Sequence, residues 1–260
     1  MRLIDRLFGK RDILTHYFDF TRVLRGNIES FILKDIYQLR YQVYCLECGD
    51  LQPAESAAGS EIDEYDDCAI HVAAYNMQRD IVGTVRLVQP RAGQAYPFEA
   101  HCTVFDDVAR PAPEHAGEVS RLVVGKTYRR RRGDTIEGIA SDFAQQGTTA
   151  GIVPARGKRA NGPLLLLGMY REMYRHSRAN GVRYWYAAME RSLAHSLDKM
   201  GFKFVAIGPQ ADYDGAVTPY LVDLDELDER LRRENTFLAA WFNDERIPLW
   251  ILIRALLRSR

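Results

Sequence analysis

The chain has 260 residues, 47% of them hydrophobic, with Lys+Arg and Asp+Glu balanced at 35 each and therefore no formal net charge. That length allows one or two domains with a sizeable core, and the apolar content excludes a disordered chain. The charge balance gives no global field for nucleic acid, so a basic run must be a local feature with a small or local ligand.

The first residues, MRLIDRLFGKRDIL, alternate charge with hydrophobe and lack the apolar stretch and small-residue cleavage site of a secretory signal. A cytoplasmic protein is expected. A helix is predicted around FILKDIYQLRYQVYCLE (31–47), where apolar residues recur at helical spacing. Cys45 and Cys48 form a C-x-x-C, but Cys68 and Cys102 add no second pair at zinc spacing, so reduced, unpaired thiols and no metal site are expected. The small, polar stretch LQPAESAAGSE (51–61) reads as a loop, followed by strands over AIHVAAYN (69–76) and DIVGTVRLVQ (80–89).

After a less regular segment comes the strand EVSRLVV (118–124), which runs into Gly125 and the basic run YRRRRG (128–133). Residues 132–162 are rich in Gly and Ala with Pro154 among them, and read as a long insertion. A helix over PLLLLGMYREMYRHSRANG (163–181) opens on proline and closes on Asn180-Gly181. A strand VRYWYAAM (182–189), a helix SLAHSLDKMG (192–201) ending at Gly201 and a strand FKFVAIG (202–208) complete an α/β pattern. The last segment is strongly charged at first and then apolar with basic residues. Its stripe of Trp250, Ile251, Ile253, Leu256 and Leu257 suits peripheral membrane contact or packing on its own domain or a dimer mate, and the window is too short to span a bilayer.

Several charged residues stand in unusual places. Glu118 in an apolar strand costs free energy unless it is paired or hydrogen-bonded. Strict alternation places Glu118 and Ser120 on one strand face and Arg121 on the other. Spacing leaves two readings open, a general base towards an amine or one buried ion pair. In EIDEYDD (61–67), Asp63 and Asp66 can cap a turn, bind a cation or hold an arginine of a neighbouring strand. Arg86, inside GTVRLV, implies a buried acidic partner or an anionic ligand, and Arg40 in LRYQVY is another candidate cation. Arg129, Arg130, Arg131 and Arg132, after the Gly125 turn, suit a phosphate or pyrophosphate, with a solvated loop as the plainer reading. Tyr184, Trp185, Tyr186, Leu164 to Leu167 and Met169 can line an acyl tunnel, although ordinary core packing explains most of them.

The second half, with RSLAHSLDKMGFKF ending its helix at Gly201-Phe202, resembles the acetyltransferase-like acyl-CoA fold over about half the chain. Four ordered pieces sharpen this: LRYQVY (39–44), EIDEYDD (61–67), GTVRLV (83–88) and GEVSRLVV (117–124). They are similar to the R-x-x-V-[FY], D-x-[YF]-D, G-x-x-R-L and E-x-S-R-[FL] pieces of the autoinducer synthase family and its relatives, the N-acyl amino acid synthases, including those associated with exosortase systems. The tryptophan common soon after the first piece in homoserine lactone synthases is absent here, where CLECGDL follows and Trp185 is the first tryptophan.

The resemblance implies a three-layer α/β fold, an acetyltransferase-like mixed sheet flanked by helices. It implies an acyltransferase domain over 1–222 with the insertion 132–162, and a helical tail over 223–260. The implied reaction moves a fatty acyl group from acyl carrier protein, or acyl-CoA, to a small-molecule amine, with no tightly bound cofactor. Arg40, Asp63, Asp66, Arg86, Glu118 and Arg121 would form the polar cluster, with Glu118 as base, Ser120 beside it and the N–H groups of Leu122, Val123 and Val124 facing the developing oxyanion. Arg129 to Arg132 would lie near the phosphopantetheine or the acidic carrier. The alternatives are an autoinducer synthase and a non-catalytic acyl-binding or membrane-associated scaffold.

Overall fold

The computed structural model describes residues 17–24, 30–48, 59–128, 162–212 and 215–245. β1 (Phe18–Leu24) precedes α1 (Ser30–Arg40), which continues into a π-helical segment over Tyr41–Cys48. A 3-10 turn (Glu64–Cys68) leads into β2 (Ala69–Asn76), then β3 (Ile81–Val88), 3-10 turns at Pro97–Ala100 and Pro113–His115, and β4 (Ala116–Val124). The second half carries α2 (Gly162–Ala179), β5 (Tyr184–Met189), α3 (Arg191–Lys199), β6 (Val205–Ala206), β7 (Ala211–Asp212), β8 (Ala216–Asp223), α4 (Leu224–Glu234) and α5 (Thr236–Phe242).

One mixed sheet runs in the order β1-β2-β3-β4-β5-β8-β6, with β7 pairing β8. β1 to β4 form an antiparallel meander, β4 and β5 run parallel, and β8 is antiparallel to β5 and β6. Every residue of β2 is buried, as a strand covered on both faces requires. Its side chains alternate between two cores: Val72 and Ala74 join Leu165, Met169 and Met173 of α2, while Ala73 and Tyr75 join Ile36 and Tyr37 of α1. Helix, sheet and helix thus form three layers.

Positive φ at Gly181 (74°) and Gly201 (93°) closes α2 and α3 in the left-handed conformation that favours glycine, as the sequence predicts. The strand expected over 202–208 shrinks to Val205–Ala206, because Phe202 and Phe204 turn into the core and out of the ladder. β1 and β8 escape the pattern reading. Pro219 interrupts β8 without an N–H, yet the strand pairs with β5 and its Pro219 carbonyl accepts the Ile207 N–H at 2.9 Å.

α4 and α5 pack into the main core through Leu224, Leu227, Leu231, Leu238, Trp241 and Phe242. Two arginines of α2 cap the end of α5: Arg171 Nε donates to the Trp241 carbonyl at 2.7 Å, with its guanidinium 4.4 Å from the Trp241 ring centroid, and Arg175 Nε donates to Phe242. Cys45, Cys68 and Cys102 carry free thiols. Among the described residues no helix is long and apolar enough to cross a membrane. The stripe at 250–257 and the insertion (apart from Gly162, which opens α2) lie outside the described residues.

Candidate active site

The site begins at the 3-10 turn before β2. Asp63 caps it by accepting the Tyr65 N–H at 2.9 Å, and Asp66 reaches back to accept the Asp63 N–H at 2.8 Å, a reciprocal capping box. Turn chemistry and arginine binding, separate options in the sequence, are both performed by these two carboxylates.

Three arginines from three elements close on them. Arg40, fully buried at the end of α1, grips Asp66 with Nη1 at 2.8 Å and Nη2 at 3.3 Å and donates to Glu61. Arg86 of β3 reaches Asp66 at 2.7 Å and also Asp63, while its Nε donates to Ser120 Oγ at 3.1 Å. Arg121 of β4 reaches Glu61 and Asp63, each at 3.1 Å. The contacts form a closed ring of alternating sign, Arg40, Glu61, Arg121, Asp63, Arg86, Asp66. Such a ring is how guanidinium and carboxylate groups survive burial, because each charge keeps two opposite neighbours. Burial pushes the Asp66 carboxyl up, but Arg40 and Arg86 more than reverse it and hold the group well below the usual carboxylate range. Asp63 is likewise held low against its burial, chiefly by Arg86.

Arg121 corrects the alternation argument. Its side chain joins the face of Ser120 and Arg86, because β4 bulges there: the register with β3 steps between Thr84 and Arg86, and Arg121 takes φ 50°. An extra residue in one strand returns the next side chain to the face that strict alternation denies it.

Glu118 stands apart from the ring. It is 3% exposed, and its Oε2 accepts the backbone N–H of Phe98 at 2.9 Å; among the described residues no cation contacts it. Burial pushes its carboxyl up to about 8, with the Phe98 N–H and then Arg86 pulling in the opposite direction. Phe98 and Tyr186 lie 5.1 Å apart and Tyr96 and Tyr186 4.9 Å apart, ring centre to ring centre. Tyr186 stands opposite Glu118 in the β4–β5 register, which puts this aromatic cluster next to the buried carboxyl. Among the described residues the partner of Glu118 is a peptide N–H and not a cation, which does not match the buried-ion-pair reading.

The β4–β5 ladder also ends at Glu118. Its pairs are Ala116 with Tyr184, Gly117 with Trp185 and Glu118 with Tyr186, while β4 continues to Val124 and β5 to Met189. Leu122, Val123 and Val124 therefore lie on the part of β4 that has parted from β5. Beside the ring opens a cleft of about 300 Å³, lined in part by Asp63, Tyr65, Pro97, His101 and Arg121.

Arg129, Arg130, Arg131 and Arg132 lie outside the described residues. Leu164, Leu165, Leu167, Met169 and Trp185 belong to the main core, where Trp185 Nε1 donates to Ser177 at 2.8 Å, so core packing accounts for them. Tyr186 sits on the other face, beside Glu118 and Phe98. Sequence reasoning missed Glu61 and Phe98. Glu61 carries a signal, two residues before Asp63 in the same acidic run, whereas Phe98 acts through its backbone and leaves none.

Residues 39–137 match the family profile described as acetyltransferase (GNAT) domain, a stretch that holds all six ring residues and Glu118. The fold is acetyltransferase-like. It is shared with BjaI, a CoA-dependent acyl-homoserine lactone synthase solved with SAM and isopentyl-CoA, at 18% identity and a TM-score of 0.54 over 93% of this chain and 99% of that one. TofI, in a ternary complex with an inhibitor and MTA, aligns at 18% identity and a TM-score of 0.55 over 81% and 96%. The AHL synthase LasI aligns at 14% identity and 0.54 over 80% and 91%. No curated protein matches the chain. The acetyltransferase-like domain thus shares its architecture with autoinducer synthases at low identity.

Proposed function

We propose that this protein is an N-acyltransferase that moves a fatty acyl group from acyl carrier protein or acyl-CoA to the amine of an amino acid or related small molecule. The observation that carries the reading is Glu118: a buried carboxyl held by a peptide N–H and, among the described residues, touched by no cation, at the point where β4 parts from β5. A carboxylate of ordinary acidity is a poor base for an ammonium near neutral pH, and raising its pKa to about 8 makes it a competent one.

In this reading the thioester lies between the parted strands. Glu118 takes the proton of the incoming ammonium, directly or through one water, and the free amine forms the new C–N bond at the thioester carbonyl. N–H groups among Leu122 to Val124 receive the oxyanion, and the tetrahedral species collapses with cleavage of the C–S bond and release of the thiol. The ring fixes β3, β4 and the acidic turn so that these groups keep their places. Arg129 to Arg132 serve the phosphopantetheine or the acidic carrier. The protein works in the cytoplasm, with its tail as a peripheral contact at the inner face of the membrane.

A second reading, acyl-homoserine lactone synthesis, is favoured by the architecture shared with BjaI and LasI. Lipid extracts of cells expressing the wild-type chain or Glu118→Gln separate the possibilities by mass spectrometry. A new N-acyl amino acid that is absent with the variant supports the proposal; a lactone instead moves the protein to the second reading. Acyl binding without turnover, indifferent to Glu118→Gln, identifies a scaffold.

A further inference from the structure

Immediately after Arg40 the chain leaves α-helical geometry for a π-helical segment, Tyr41–Cys48, longer than the single-turn bulges in which this geometry usually occurs. The changed register packs Val43, with Leu39, against Val123 and brings Tyr44 over β4. There one side chain makes two contacts. Its hydroxyl donates to the Leu122 carbonyl at 3.2 Å, across 78 positions of sequence, and the Arg121 guanidinium carbon sits 5.7 Å from its ring centroid. Both contacted residues belong to the β4 bulge, where Arg121 holds φ 50° and the β3 register steps.

The β3 ladder passes over Arg121 and Leu122 and resumes at Val123 opposite Thr84, so the Leu122 carbonyl needs another anchor. The peptide is planar and trans, so fixing the Leu122 carbonyl also fixes the Val123 N–H that shares its plane. We propose that Tyr44 is a positioning residue: its hydroxyl sets the Leu122–Val123 peptide, and with it the course of the bulged backbone whose neighbouring N–H groups face the parted edge, while its ring steadies Arg121 at the edge of the acceptor cleft. Burial pushes the phenol up to about 12, so it stays a neutral donor throughout the working range. The role in turnover rests on the acyltransferase reading above; the role in holding the bulge does not.

Two variants separate the contacts. Tyr44→Phe keeps the ring over Arg121 and loses the hydrogen bond. With dodecanoyl-CoA or dodecanoyl acyl carrier protein as donor and mixed amino acids as acceptor, it is expected to lower kcat about tenfold, the rate equivalent of one hydrogen bond, and to leave the acceptor KM unchanged. Tyr44→Leu loses both contacts and is expected to raise the acceptor KM as well. A Tyr44→Phe enzyme with wild-type kcat overturns the proposal. The Val123 amide gives a readout independent of activity: its ¹⁵N–¹H resonance should shift and its hydrogen exchange should quicken in Tyr44→Phe, while β2 amides stay in place. An unmoved Val123 amide also overturns the proposal. If the wild-type protein transfers acyl groups from neither donor, the functional reading fails and the amide experiment still decides whether Tyr44 holds the bulge.

Discussion

The backbone N–H of Phe98 donates to Glu118 Oε2 at 2.9 Å, so among the described residues the contact that holds this buried carboxyl comes from a peptide group on a 3-10 turn. A peptide N–H orients the carboxyl without neutralising it, and burial then dominates its acidity. Glu118→Gln preserves shape and burial while removing the base. Turnover should fall by about 10² to 10⁴, the usual contribution of general base catalysis, with an unchanged circular dichroism spectrum. Turnover equal to wild type would remove Glu118 from the mechanism.

The same group makes stability depend on pH in a defined direction. Its pKa is about 8 in the fold against an ordinary value of 4.5, so between these pH values the native state holds the extra proton and stability falls as pH rises. The loss approaches about 1.4 kcal/mol per pH unit and levels off above pH 8. Thermal melts of Glu118→Gln should therefore lie above wild type at pH 9 and converge towards it near pH 5. The pH profile of kcat/KM should rise with a midpoint near 8, and a midpoint near 4.5 would mean that Glu118 is solvated in the working enzyme.

His71 contributes an opposing limb. It is fully buried on β2, its Nε2 is 3.8 Å from Asp66, and burial lowers its imidazole to about 4. Between that value and the ordinary 6.5 the unfolded chain binds the proton and the native state does not, so stability is lost as pH falls through this window. His71→Phe should flatten the dependence there, as read from urea midpoints at pH 6.5 and 4.5. An unchanged slope would assign the acid limb to other groups.

Asp66 closes the ring between Arg40 and Arg86, and Asp66→Asn leaves two buried guanidinium groups short of a counter-charge. Removing one partner from a buried ionic contact costs about 3 to 5 kcal/mol. Chemical denaturation should show a loss of that size. A loss below about 1 kcal/mol would mean that water enters and compensates.

Phe242 is fully buried against Tyr174 at 5.5 Å and Phe202 at 5.3 Å, which ties α5 to α2 and to the segment after α3. Phe242→Ala should cost about 3 to 5 kcal/mol. A marginal effect would show α5 to be a separable appendage.

The four motif pieces made the ring legible, because buried arginines and acids in strand-like sequence demand one another. They could not supply its geometry: Arg121 belongs to the ring only through a bulge, and neither period 2 nor composition announces a bulge. β2 and β3 were readable as continuous apolar runs. β8 was not, since Pro219 breaks the pattern while the strand forms through partners distant in sequence, and Glu118 was legible as an anomaly while the peptide group that binds it was invisible.

The closed ring also has a consequence for ionic strength. Its charges cancel among themselves and most are buried, with only Asp63 and Arg121 facing the cleft, so added salt has little to screen. The chemistry at Glu118 is therefore expected to tolerate salt. An acidic carrier meeting Arg129 to Arg132 in water is exposed to screening, so a salt-sensitive KM for acyl carrier protein beside a salt-indifferent kcat would separate the docking event from the reaction.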